Sequence, residues 1–143
     1  MSIALQPTPT TVSRVWVGDL PWISATNGWG PVERNRSNGE TGARDGRSMK
    51  IAGHTYSRGL GVHARSEILF ALDDRFDRFK GTVGIDDEVG NNGSAVFEIW
   101  LDGRRAFQSP TMRGNMPALA FDIAVENARD MRLVVLDAGD GIG

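Results

Sequence analysis

From Glu67 to Val135 apolar and polar positions alternate with a period of two. Ile68, Phe70 and Leu72 share one face, and Glu67, Leu69 and Ala71 the other. Phe79, Gly81, Val83 and Ile85 face away from Lys80, Thr82 and Gly84. Ala95, Phe97, Ile99 and Leu101 alternate with Val96, Glu98 and Trp100. Leu119, Phe121, Ile123 and Val125 oppose Ala118, Ala120, Asp122 and Ala124, and Met131, Leu133 and Val135 close the series. Such alternation predicts strands that turn one face to a core and the other toward water. Asp102-Gly103, between two of these runs, is a two-residue hairpin signal. No segment carries a helical period. The pattern predicts an all-β fold, an antiparallel β-sandwich.

The N-terminal part reads differently. Residues 1–13 are rich in Pro, Thr and Ser and predict a flexible tail or linker ahead of a domain spanning 14–143. From Gly18 to Ser48 runs a long loop region of Gly, Asn, Arg and Ser that carries Trp22 and Trp29. Two tryptophans in such a stretch argue for packed order. At 143 residues the chain fits one domain, and its net charge of −2 gives no reason to expect nucleic acid or an anionic membrane as partner. The absence of cysteine excludes disulfides and thiolate chemistry. No apolar run approaches the ~20 residues of a membrane helix, and the N-terminus has no basic region followed by an apolar core, so no signal peptide is read.

The run Tyr56-Ser-Arg-Gly-Leu-Gly-Val-His-Ala64 places His63 in an apolar setting, at the mouth of the strand that follows. Gly59 and Gly61 there allow a turn or a close backbone approach. Around it stand Leu20-Pro21-Trp22, Asn27-Gly28-Trp29-Gly30-Pro31 and Ile51-Ala52-Gly53-His54-Thr55-Tyr56. Downstream follow Gly84-Ile85-Asp86-Asp87-Glu88, Ile99-Trp100-Leu101-Asp102-Gly103 and Asp137-Ala138-Gly139-Asp140-Gly141. Together these motifs resemble the NPCBM family of carbohydrate-binding modules, over roughly Val15 to Gly141. The resemblance implies a jelly-roll topology and a non-catalytic module attached to a bacterial glycoside hydrolase or cell-surface protein. It also implies a preference for galactose-containing glycans, an extracellular setting if the chain is part of a longer secreted protein, and a structural Ca²⁺. Family members continue past the Asp137–Gly141 run with a further strand. On that pattern the last strand is missing, and an unpaired edge near Val134, Leu136, Val15 and Val17 would favour a dimer.

Read for chemistry, Asp86-Asp87-Glu88 admits three uses. Carboxylates accept sugar hydroxyls or hold a hard cation; a solvated turn uses them on its own backbone; a glycosidase pair must flank the scissile bond, and adjacent residues on a strand end point to opposite faces. Asp137 and Asp140 sit among glycines, as in part of a calcium loop, with Asp19 as a further candidate ligand and an acidic turn as the plain alternative. His63 and His54 lack a third nitrogen or sulfur ligand for zinc. His63 either contacts a sugar hydroxyl or is satisfied by backbone. Trp29, between two glycines in a polar loop, is the expected stacking platform for a sugar ring, or else a loop anchor. Trp100 can cover the second face of its sheet or a partner surface. The carbohydrate-binding set expected from sequence is therefore Trp29, His63, Asp86, Asp87 and Glu88. A structural or protein-interaction sandwich without a sugar site, and a small acid/base glycosidase, are the alternatives.

Overall fold

The computed structural model describes residues 2–7, 14–27, 32–34, 49–56, 58–86, 93–114 and 116–138. Its strands are β1 (Ser2–Pro7), β2 (Val15–Trp16), β3 (Ser24–Thr26), β4 (Glu33–Arg34), β5 (Met49–Ile51), β6 (His54–Tyr56), β7 (Leu60–Gly61) and β8 (Ser66–Ala71). Then come β9 (Phe76–Val83), β10 (Ser94–Leu101), β11 (Arg104–Gln108), β12 (Met112–Arg113), β13 (Leu119–Ala124) and β14 (Asp130–Asp137). One 3₁₀ turn, Val17–Asp19, links β2 toward β3.

The strands pair antiparallel into two principal sheets. One has the order β13-β9-β1-β2; the other has β11-β10-β14-β8-β3, with β12 also on β10. Most neighbours are non-consecutive in sequence, so connections cross between the sheets, as the jelly-roll expectation requires. Two small two-stranded pairs lie outside this frame, the β5–β6 hairpin and the long-range pair of β4 with β7. The alternation explains the layering. Ile68, Phe70, Phe79, Val83, Ala95, Ile99, Met131, Leu133 and Val135 are all buried in one cluster between the sheets. Phe121 of β13 meets Phe79 edge-on at 5.0 Å and Phe107 of β11 at 5.4 Å. That contact closes one open side of the sandwich, where the edge strands of the two sheets come together. At Asp102-Gly103 both residues have positive φ, 49° and 82°, which is the geometry of the predicted tight hairpin.

Two expectations are corrected. Residues 2–7, read as tail, form β1 in the interior of the four-stranded sheet, paired with β9 on one side and β2 on the other. Ser-Ile-Ala-Leu-Gln is itself an alternating segment, and the Pro/Thr-rich residues after it masked that signal. The last strand is not an edge either. Val134 of β14 stands opposite Glu98 of β10 and Glu67 of β8, and Leu136 opposite Val96. Val15 pairs with Leu5 of β1 and Val17 is buried. With β14 paired on both sides, Val134 and Leu136 offer no edge, whereas β2, which carries Val15, is the outer strand of the four-stranded sheet.

Candidate functional site

Strand register brings several chain segments to one end of the sandwich. Asp137, the last residue of β14, stands opposite Ala95 near the start of β10, while Val135 stands opposite Ser66 at the start of β8. Thr26 at the end of β3 stands opposite Glu67. Val83, at the end of β9, lines the same core void as Phe97 and Val135, so β9 also exits at this end. Asn27, His63, Asp86, Ser94 and Asp137 therefore belong to one rim.

Two side chain–backbone bonds tie that rim together. Asn27 Oδ1 accepts the backbone N–H of His63 at 2.8 Å, across 36 residues of sequence. Asp86 Oδ2 accepts the backbone N–H of Lys50 at 3.1 Å. The second bond fastens the β5–β6 hairpin over the end of β9. Met49 and Ile51 bury their side chains there, and a Cβ at Gly84 would fall 2.7 Å from Ile51 Cγ2. Only a residue without a side chain lets the hairpin lie so close. His63 follows β7, whose Leu60 and Gly61 pair with Arg34 and Glu33. The histidine is half-buried, and its Nε2 is buried.

A separate cluster joins arginines to tryptophans. Arg34 Nη1 donates to the carbonyls of Gly18 and Leu20, the latter at 2.9 Å, while its guanidinium stacks 3.9 Å over Trp22. Burial holds the Arg34 guanidinium below the usual arginine range, partly offset by the charge of Asp19. Arg58 pairs with Asp19 at 2.9 Å and lies 5.9 Å from the Trp16 ring. These bonds fasten the Trp16–Trp22 segment to Arg34 of β4 and to Arg58.

The sites expected from sequence distribute as follows. His63 and Asp86 are on the rim, Asp86 engaged as a backbone latch. Asp137 is there too, exposed at the end of β14. Asp19 is an ion-pair partner of Arg58. Trp29, Asp87, Glu88 and Asp140 lie outside the described residues. Among the described residues no group of three His, Cys, Asp or Glu is disposed to hold a metal ion. With Asp19 engaged by Arg58, the described part of the calcium set does not by itself form a cage. Asn27 and Arg34 were missed. From sequence, Asn27 is named only within the motif around Trp29 and Arg34 is not singled out.

What such a rim can do is bind. It offers amide, imidazole and carboxylate groups on strand ends fixed by a rigid sandwich, the kind of scaffold that carries recognition loops.

The NPCBM/NEW2 domain profile matches residues 13–143. A protein of Renibacterium salmoninarum named "Putative endo-alpha-N-acetylgalactosaminidase" is 36% identical over 138 residues, which cover 94% of this chain and 9% of that protein. A CBM51 module from Clostridium perfringens GH95, solved in complex with methyl-galactose, superposes with a TM-score of 0.78 at 32% identity, covering 88% of each chain. A C. perfringens ZmpB structure with CBM51-2 in complex with GlcNAc and INT domains gives a TM-score of 0.78 at 25% identity, over 97% of this chain and 33% of that one. The chain spans about a tenth of the length of the curated relatives it matches. Profile, sequence and fold agree, and the chain belongs to the NPCBM/NEW2 domain family, as a non-catalytic carbohydrate-binding β-sandwich.

Proposed function

We infer that this module binds galactose-containing glycans at the rim that joins Asn27, His63 and Asp86, and so tethers an attached catalytic domain to its substrate. The observation that carries the reading is the Asn27–His63 bond. It holds Asn27, two residues ahead of Trp29 in sequence, against the backbone of the histidine across 36 residues of chain. The methyl-galactose complex of the C. perfringens module supports the choice of sugar. The name of the R. salmoninarum relative supports attachment to a glycoside hydrolase. Affinity for a single sugar is weak in this arrangement, because few polar contacts and one stacking face must offset the cost of ordering the ligand.

Isothermal titration with methyl galactoside, alongside a glycan array, tests the reading. Galactose-terminated glycans are retained and Trp29→Ala or His63→Ala reduces retention with the fold intact. If no glycan is retained, the chain is a structural or protein-interaction sandwich. If Trp29→Ala unfolds the domain, Trp29 is a loop anchor. Calcium has its own readout. An ion held by Asp137 and Asp140 in the folded chain alone raises the melting temperature by mass action, and EDTA lowers it. Coincident melting curves with EDTA and with Ca²⁺ remove the ion from the account.

A further inference from the structure

The outer face of the larger sheet, turned away from the core and away from the rim loops, carries a second constellation. Along β10 the outward positions are Val96, Glu98 and Trp100. Glu98 is only 7% exposed, although it faces outward. A carboxylate buried on an open sheet face needs compensation. Here it accepts three bonds: from Trp100 Nε1 at 2.9 Å, from Gln108 Nε2 at 3.1 Å and from Arg105 Nη1 at 3.3 Å. Its effect is to fix the indole of Trp100 and the guanidinium of Arg105 in one orientation. In register, Trp100 stands between Arg105 on β11 and Arg132 on β14. Paired residues on neighbouring strands have Cα atoms about 4.5–5.5 Å apart, so Arg105 and Arg132 hold the two register positions that flank Trp100.

The two arginines differ in what they have left to give. Arg105 is matched by Glu98. Arg132 is exposed and forms no ion pair among the described residues, not even with Asp130 on the same face of its own strand. On the same face Val134 is buried and Leu136 and Leu69 are half-buried, with Glu98 and Glu67 at the register positions on either side of Val134. A half-exposed indole with its N–H already engaged offers its ring face, not its edge. One unmatched guanidinium beside it offers a fork that fits a carboxylate. Orientation fixed in advance lowers the cost of binding.

We propose that this face, centred on Trp100, is a second glycan contact that takes a sugar bearing a carboxylate, its ring on the indole and its carboxylate on Arg132. It lies five residues from Asp137 along β14, about 17 Å at the rise of a strand, so one sugar residue cannot occupy both sites. A branched or acidic glycan that engages both gains from effective concentration without any new contact.

The test uses the indole N–H resonance of Trp100 in the ¹⁵N-labelled chain, identified by its disappearance in Trp100→Phe. The methyl glycoside of N-acetylneuraminic acid, methyl galactoside and galactose 3-sulfate are titrated in separate arms. The neuraminic acid glycoside shifts the Trp100 signal saturably, and added salt weakens the effect. Arg132→Gln weakens it about tenfold, as loss of a charge-assisted hydrogen bond implies. His63→Ala leaves it unchanged, which separates this contact from the rim. No saturable shift overturns the proposal, as does a shift that Arg132→Gln leaves intact. A response to the sulfated sugar alone, or an equal response to methyl galactoside, overturns the assignment to a carboxylate.

Discussion

His63 is aimed by a residue that sequence order hides. Its backbone N–H is held by Asn27 Oδ1, so the position of the ring depends on an amide 36 residues upstream. Asn27→Ala removes the acceptor. A net hydrogen bond contributes about 0.5–1.5 kcal/mol, so a small loss of stability is expected, with sugar affinity reduced several-fold. Asn27→Asp keeps an acceptor oxygen and restores most of the binding in the same titration. Equal affinity in all three chains would separate Asn27 from the sugar site. Asp86 gives the opposite expectation. Because its carboxylate caps Lys50 N–H, Asp86→Asn, which retains an oxygen at that position, leaves binding unchanged, whereas a loss of binding identifies Asp86 as a direct sugar contact. The motif around His63 was legible from its glycines and its apolar surroundings. The Asn27 and Arg34 bonds were not, because a side chain that satisfies a distant backbone group leaves no periodic trace.

Strands were the most legible elements. Alternation placed Phe70, Phe79, Ile99 and Leu133 in the core correctly, because one face of each long strand must be dry. The Asp102-Gly103 turn was legible for a similar local reason. β1 was not, because composition after Pro7 outweighed a five-residue alternation before it. The interior position of β14 was also hidden, since in crossed-over sheets the order in sequence is not the order in space. The β5–β6 hairpin makes this scale testable. Gly84→Ala would press a methyl group against Ile51, which is 1% exposed and has little room to move. Overpacking of this kind costs about 1–3 kcal/mol, and chemical denaturation reads it directly. A neutral result would show that the hairpin does not rest on β9 as described.

For the whole molecule, the sandwich acts as a rigid block that presents strand ends and loops at one rim and a broad sheet face at right angles to it. On the proposed function, the module would raise the local concentration of an attached catalytic domain at its glycan, and weak sites would act through multiplicity. Fold and family were legible from joint motifs, whereas Trp29, Asp87 and Glu88 of the expected ligand set lie outside the described residues. The most direct measurement is calorimetric titration of the folded chain with methyl galactoside, beside His63→Ala shown by circular dichroism to be folded. The account predicts saturable, weak binding by the parent chain and a loss of roughly tenfold or more in the variant, in line with losing a polar contact to the sugar. Absence of binding by the parent, or equal binding by the two, would contradict it.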